Sequence, residues 1–462
     1  MRLRTTVPGL LWLLAASGRL PAGEPADLFR HGGRWAAVGD SITHAGAYHS
    51  YVHLFLLTRQ AGDLPEVHNC GVSGDTAPGT LGRYDDDLAP VRPTVATVML
   101  GMNDLARQYY MPTGPVDDAA RARAREVYRE SLTALVRRLT TDGARVIVVT
   151  PSLYDETAQQ AGLKPAIGAE AELEAGAAIA RAIADEQHLP FVDLLGPMRE
   201  LTRAQQRTLP AFSLISPDRV HPSLEGHFVI AVELLRQLHF RPVVATIAVP
   251  AGEGSPAAEH CTVSHVRRTA AGLEFDCLED ALPYPVAPEL EATARLVGFD
   301  DLLNRELLVV RGLPAGDYAV RIDGQPVTRV AAAQLESGFN LATCRETPQY
   351  AQARRVAAAE QKRFELGCQL RILPQWRQFM IANHIPPDGG DDSARQVDAL
   401  LEKWRKAGAP YVDIMAQLAA NFKDVRAHQV ELRRQMSEWL DRAQAEAPPR
   451  PHHYELARLP AS

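Results

Sequence analysis

Trp35-Ala36-Ala37-Val38-Gly39-Asp40-Ser41-Ile42-Thr43 is the stretch that decides the fold. Trp35–Val38 reads as a short strand without polar alternation, as expected of a strand covered on both faces. Gly39 and Asp40 then turn the chain, and the helical pattern Tyr48–Arg59 follows. The same unit recurs outward from there. Glu66–Cys70, Val95–Leu100, Arg145–Thr150 and Phe191–Asp193 read as further short strands. Between and after them, Ala119–Thr140, Ala169–Gln187 and Leu224–Leu238 read as helices, with Val127, Leu132, Leu135, Val136 and Leu139 at helical spacing. Strand–helix alternation predicts an α/β fold, a three-layer α/β/α domain around a parallel sheet over residues 30–242.

The remainder of the 462 residues has a different texture. Residues 243–327 are rich in Pro, Gly and short β-like runs, and read as a small β domain. Residues 328–447 read as helical, with Ile414, Leu418, Phe422, Val425, Val430 and Leu432 forming an apolar seam, and the Pro-rich residues 448–462 as a loose tail. At the other end, Arg2 and Arg4 precede the apolar run Val7–Ala16 and a small-residue stretch to Gly23. That order is expected of an export signal over residues 1–23, hence of a secreted or periplasmic protein. A net charge of −7 leaves no basic footprint for nucleic acid, and no later apolar run is long enough to span a membrane. Five cysteines fit an oxidising compartment, with Cys261 facing Cys277 across a hairpin, Cys344 and Cys368 as a second possible pair, and Cys70 left as a small buried residue. No Cys/His spacing matches a zinc site.

Four constellations carry chemistry, and three of them follow predicted strands. Ser41 stands at the end of the first strand, where α/β sheets build their sites, and the amides of the helix behind it face a developing negative charge. Asp218-Arg219-Val220-His221-Pro222 precedes the last helix of the domain. A serine hydroxyl needs an imidazole to take its proton, and the imidazole needs a carboxylate to hold its tautomer; Asp218 and His221 supply both from one turn. Asn69-Cys70-Gly71-Val72-Ser73-Gly74 and Gly101-Met102-Asn103-Asp104 end the second and third strands. There Gly71 brings a bare amide close to substrate, and Asn103 adds a side-chain donor.

The order of these blocks resembles the SGNH/GDSL hydrolases, whose four blocks supply Ser, Gly, Asn and His. The matching residues are Ser41, Gly71, Asn103 and His221, over about Trp35 to Phe240. The resemblance implies a flavodoxin-like parallel sheet and a serine esterase. Ser41 would be the nucleophile, Asp218 and His221 would complete a triad, and Ser41, Gly71 and Asn103 would form the oxyanion hole. No metal or organic cofactor is implied. Ile42-Thr43 after the serine, where Leu is common, resembles the branch acting on carbohydrate esters. The expected substrate is therefore a small-molecule or polysaccharide ester, with O-acetyl groups first. His44 would line the pocket, and Tyr84, Arg107 and Tyr109 would touch a sugar. Two other readings share these residues: a lysophospholipase, thioesterase or lipase with an apolar acyl tunnel, and a non-catalytic glycan-binding or scaffold protein on a hydrolase fold. No sequence feature sets the oligomeric state.

Overall fold

A computed structural model describes residues 28–29, 32–60, 62, 64–107, 117–161, 164–269 and 272–460. The export signal expected over residues 1–23, Tyr109 and the Ala270-Ala271 turn lie outside them. Five strands, β1 (Arg34–Gly39), β2 (Glu66–Gly71), β3 (Val95–Met99), β4 (Arg145–Val149) and β5 (Phe191–Val192), form one sheet in the order β2-β1-β3-β4-β5. Every neighbouring pair is parallel. β3 is buried along its whole length, because helices cover both faces of the sheet. Helices Ala47–Arg59 and Leu224–Gln237 bury one face, and Asp118–Thr141 and Ala169–Glu186 the other. The apolar stripe of Asp118–Thr141 runs through Tyr128 rather than Val127, which is 48% exposed. The Tyr128 hydroxyl donates to the Leu100 carbonyl at 2.9 Å, just beyond the end of β3.

The second half is a two-sheet β module. Its strands are β6 (Val243–Pro250), β7 (Ala257–Glu259), β8 (Cys261–Thr269), β9 (Gly272–Glu279), β10 (Arg305–Arg311), β11 (Asp317–Ile322), β12 (Gln325–Ala331), β13 (Phe339–Asn340) and β14 (His452–Arg458). One sheet has the order β13-β10-β6-β7, the other β12-β11-β14-β9-β8. The expected loose tail is corrected here. β14 lies inside its sheet, antiparallel to both β11 and β9, with Tyr454 and Leu456 buried. Its partners lie more than a hundred residues earlier, so nothing local to the Pro-rich segment announces the strand.

The expected boundaries at 243–327 and 328–447 also give way to interleaving. Leu282, Tyr284, Phe299 and Leu303, between β9 and β10, join the core of the first domain, as do Ala353, Val356 and Ala359 of helix Pro348–Leu370. The buried Arg59 guanidinium fastens this connection, donating to the Leu303 carbonyl at 2.9 Å, to Asn304 Oδ1 at 3.0 Å and to the Leu282 carbonyl. Three further helices follow, Ile372–Ala382, Gly390–Lys406 and Val412–Glu446. Along the last, Val425 is buried, whereas Ile414 and Val430 are 59% and 80% exposed and leave the expected seam. Cys261 and Cys277 lie on the paired strands β8 and β9 as free thiols, and Cys261 Sγ donates to the Thr246 carbonyl at 3.4 Å. Cys344 and Cys368 are not a pair. Cys344 sits in the β core, while Cys368 lies beyond most of the helix Pro348–Leu370, roughly 30 Å along its axis, and its Sγ donates to the Ala45 carbonyl.

Two carboxyl groups, Glu279 and Glu306, are buried together in the β module. Gln349 Nε2 donates to Glu306 Oε1 at 2.6 Å, and the Tyr454 hydroxyl to Glu279 Oε1 at 3.0 Å. Burial raises the Glu306 carboxyl to about 7 and the Glu279 carboxyl well above its ordinary value, the latter reinforced by the charge of Glu306. The folded state therefore keeps protons that the unfolded chain releases, and stability is lost as pH rises from about 4.5 toward and beyond neutrality. Glu279→Gln is expected to gain Tm relative to wild type as pH rises from 4.5 to 8, read by scanning calorimetry at both ends. A difference independent of pH would contradict this account.

Candidate active site

β1 ends on Gly39, and Asp40 caps the short helix Ser41–Ala45, accepting the Ile42 amide on Oδ1 at 2.9 Å. Ser41 is thus the first residue of a helix, where an amide has no intrahelical acceptor. Burial raises the Asp40 carboxyl to about 7, with the charges of Asp104 and Asp75 adding to the shift and the Ile42 amide opposing it. Asp104, beside Asn103, is likewise raised to about 7 by burial.

His221 reaches Ser41 from the loop before helix Leu224–Gln237. Its Nε2 lies 2.8 Å from Ser41 Oγ, and its Nδ1 lies 2.5 Å from Asp218 Oδ2. Asp218 Oδ1 accepts the Val220 and His221 amides, each at 2.9 Å, and lies 2.9 Å from Ser216 Oγ. Partial burial pushes the Asp218 carboxyl up, but these hydrogen bonds outweigh it and leave the group below its ordinary value, so it stays charged. A bridge between Ile215 and Pro222 closes the loop, and Arg219 holds φ +66 inside it. The buried Arg219 guanidinium anchors that turn, donating to the carbonyls of Asp155 at 2.9 Å and Ala158 at 3.2 Å.

Gly71 does not offer the amide expected of it. That N–H donates to Asn69 Oδ1 at 3.0 Å, and Asn69 Nδ2 in turn donates to the His44 carbonyl at 2.9 Å. A side chain on Gly71 would collide with the backbone of Thr43 and His44, so this glycine serves the close packing of β2 on the helix of Ser41. Three residues on, Gly74 holds φ +81 with open space around it, and its amide has no acceptor among the described residues. Asn103 is buried and donates from Nδ2 to the Asp75 carbonyl at 2.9 Å, next to Gly74; the same nitrogen lies 3.5 Å from Asp40 Oδ2. Hydrogen bonds join Ser41, His221 and Asp218, Asn103 reaches Asp40 beside Ser41 and Asp75 beside Gly74, and Gly71 packs on the helix of Ser41. In the sequence the available signal was Gly74-Asp75-Thr76: a second glycine followed by residues that cap the next helix.

Other expected contacts differ. Tyr84 is fully buried, donates to Asp142 Oδ2 at 2.6 Å and carries Arg138 over its ring, away from Ser41. The His44 ring is held down to about 4, first by burial and then by the charges of Arg371 and Arg83, so it stays neutral. Cys70 is buried and its thiol pushed up to about 12, which makes it inert.

A strand order of 2-1-3-4-5 with these groups at the ends of β1, β2 and β3 is the expected place for an α/β active site. Residues 37–228 match the GDSL-like Lipase/Acylhydrolase family. That match spans 192 of the 462 residues. The GDSL-like protein is accordingly a carboxylic ester hydrolase. Over 223 residues, 44% of this chain and 92% of the relative, it is 27% identical to an acetylxylan esterase of Geobacillus stearothermophilus. It is also similar, with TM-score 0.84 and 27% identity, to the solved structure of BT4096, a gut microbial diltiazem-metabolizing enzyme. That likeness covers 93% of this chain and 98% of the other, so the β module and the C-terminal helices are shared with it.

Asp218→Asn keeps the size of the side chain but no longer holds the His221 tautomer, and is expected to lower kcat by roughly 10⁴-fold. Steady-state kinetics with Tm measured alongside check this. Retention of wild-type kcat would remove Asp218 from the site.

Proposed function

We propose that the GDSL-like domain is a serine esterase in which Ser41 attacks the ester carbonyl. The observation that carries this is the unbroken chain Ser41 Oγ–His221–Asp218, at 2.8 and 2.5 Å. His221 Nε2 takes the Ser41 proton as the bond to the carbonyl carbon forms. The tetrahedral oxyanion is received by the free amides of Ser41 and Gly74 and by the Asn103 side chain, with Gly74 in the place expected of Gly71. His221 then returns the proton to the leaving alcohol as the C–O bond breaks. Water repeats the sequence on the acyl-enzyme, releasing the acid and restoring Ser41.

The substrate we propose is an O-acetyl ester on a carbohydrate. Support comes from the relative named an acetylxylan esterase and from the open setting of the site, where the side chains of His221 and Asp218 are 36% and 41% exposed. A cavity of about 640 Å³ lies elsewhere, between β2 and the C-terminal helices, and includes neither Ser41 nor His221, so it is no acyl tunnel for this serine. We further propose export, on the charged, apolar and small-residue order of residues 1–23.

Acetate release from acetylated xylan, and rates on p-nitrophenyl esters of increasing acyl length, test this reading with Ser41→Ala in parallel. The expected outcome is preference for acetyl over longer chains and loss of turnover in the variant. A preference for long acyl groups would overturn the substrate class, and turnover surviving in Ser41→Ala would overturn the mechanism.

A further inference from the structure

The strand end that carries Gly71 and Gly74 is held from two sides by guanidinium groups. Arg83, from its own neighbourhood, donates to the Cys70 carbonyl at 2.8 Å and to Asp75 Oδ2 at 2.8 Å. Arg371 comes from the start of the C-terminal helix Ile372–Ala382, 300 residues away in sequence. Its Nε donates to the Gly71 carbonyl at 2.6 Å, and its two Nη atoms grip Asp87 at 3.1 and 2.5 Å. Asp87 also accepts from Arg83, so one carboxylate ties the two guanidinium groups together. Burial would raise that carboxyl, but Arg371 and Arg83 outweigh it and hold Asp87 below its ordinary value, keeping the carboxylate charged.

The loop so clamped runs from Cys70 to Asp75. Both arginines grip its start, through the Cys70 and Gly71 carbonyls, and Arg83 its end, through the Asp75 side chain. Gly74 lies within it, and the Asp75 carbonyl accepts Asn103. Arg371 is buried to 7% exposure. A buried ion pair of this kind adds little stability over apolar residues of similar volume, so its presence asks for a geometric reason. The helix before it is docked with similar care. Glu360, buried, accepts from Ser50 Oγ at 3.0 Å, lies 2.9 Å from His53 Nδ1 and is gripped by Arg363 at 2.6 and 2.7 Å.

We infer that Arg371 is a positioning residue for the oxyanion hole, and that the C-terminal helices are thereby part of the catalytic unit. The inference rests on the esterase reading above. Arg371 touches no reacting atom; it fixes the loop whose Gly74 amide, with Asn103, faces the developing oxyanion.

The test uses the full chain with Arg371→Met and Arg371→Lys. Because Arg371→Met leaves the buried Asp87 carboxylate with Arg83 as its one remaining cationic partner, Arg371→Met with Asp87→Asn is measured beside it. Arg377→Ala, on the same helix, serves as control. Active enzyme is counted by fluorophosphonate labelling of Ser41, and kcat and KM for p-nitrophenyl acetate are expressed per labelled serine. A lost loop position is expected to lower kcat by about 10- to 100-fold with KM little changed. Affinity for a boronic-acid transition-state analogue should weaken with it, Arg371→Lys, which keeps the charge and a donor, should retain more of kcat than Arg371→Met, and Arg377→Ala should match wild type. If kcat per labelled serine is unchanged in both the single and the double Arg371→Met variants, Arg371 only docks the helix and the inference falls, while an active wild type leaves the esterase reading intact. A wild type that neither labels nor turns over would overturn both.

Discussion

Parallel pairing of β1 with β3 is the constraint on which the rest of the molecule depends. Gly39 stands opposite Met99 and opposite Gly71 of β2, so three strands end level with one another. Each then leaves the sheet at the same edge, where Ser41, the Gly71–Gly74 loop and Asn103 begin. Gly39 has no room for a side chain, since one would run into Thr43 and the Met99 carbonyl. The nucleophile helix can therefore fold directly back against the strand ends. Closeness of Ser41 to Asn103 follows from strand register before any side chain is chosen.

That edge concentrates charge as well as donors. Asp40 and Asp104 are buried carboxyl groups raised to about 7, with Asp75 beside them. Water is excluded from this ground, and each carboxyl is held by backbone amides, Ile42 for Asp40 and Ala77 for Asp104. Asp218, in a more open loop with four donors around it, moves the opposite way. Two environments thus separate carboxyl groups that frame the structure from the one that orients an imidazole.

The second half of the chain is not an appendage tethered by a linker. The segment between β9 and β10 and the helix Pro348–Leu370 complete the apolar layer over the first sheet, and Arg59 and Glu360 satisfy their polar contacts at the seam. A layer of helices on that face needs enough apolar surface to cover it. Part of that surface comes from residues far along the chain, which ties the β module to the hydrolase domain physically rather than by sequence adjacency.

Much of the first domain was legible in the sequence. Short buried strands, helical spacing and capping residues act within a few positions of one another, so Ser41, Asn103, Asp218 and His221 were recognisable by type and place. Gly71 and Gly74 were not separable in this way, because both are glycines on one loop. Only the contact of Asn69 with the Gly71 amide decides between them. Tyr84 and Val127 had suitable positions but the wrong facing, which depends on which neighbour the helix or turn meets. β14 and Arg371 left no local trace, since a strand paired with β9 and β11 and a guanidinium gripping Gly71 and Asp87 take their meaning from partners more than a hundred residues away. What short-range backbone geometry dictates, the sequence determined alone; what long-range burial and charge pairing dictate, only the tertiary structure decided.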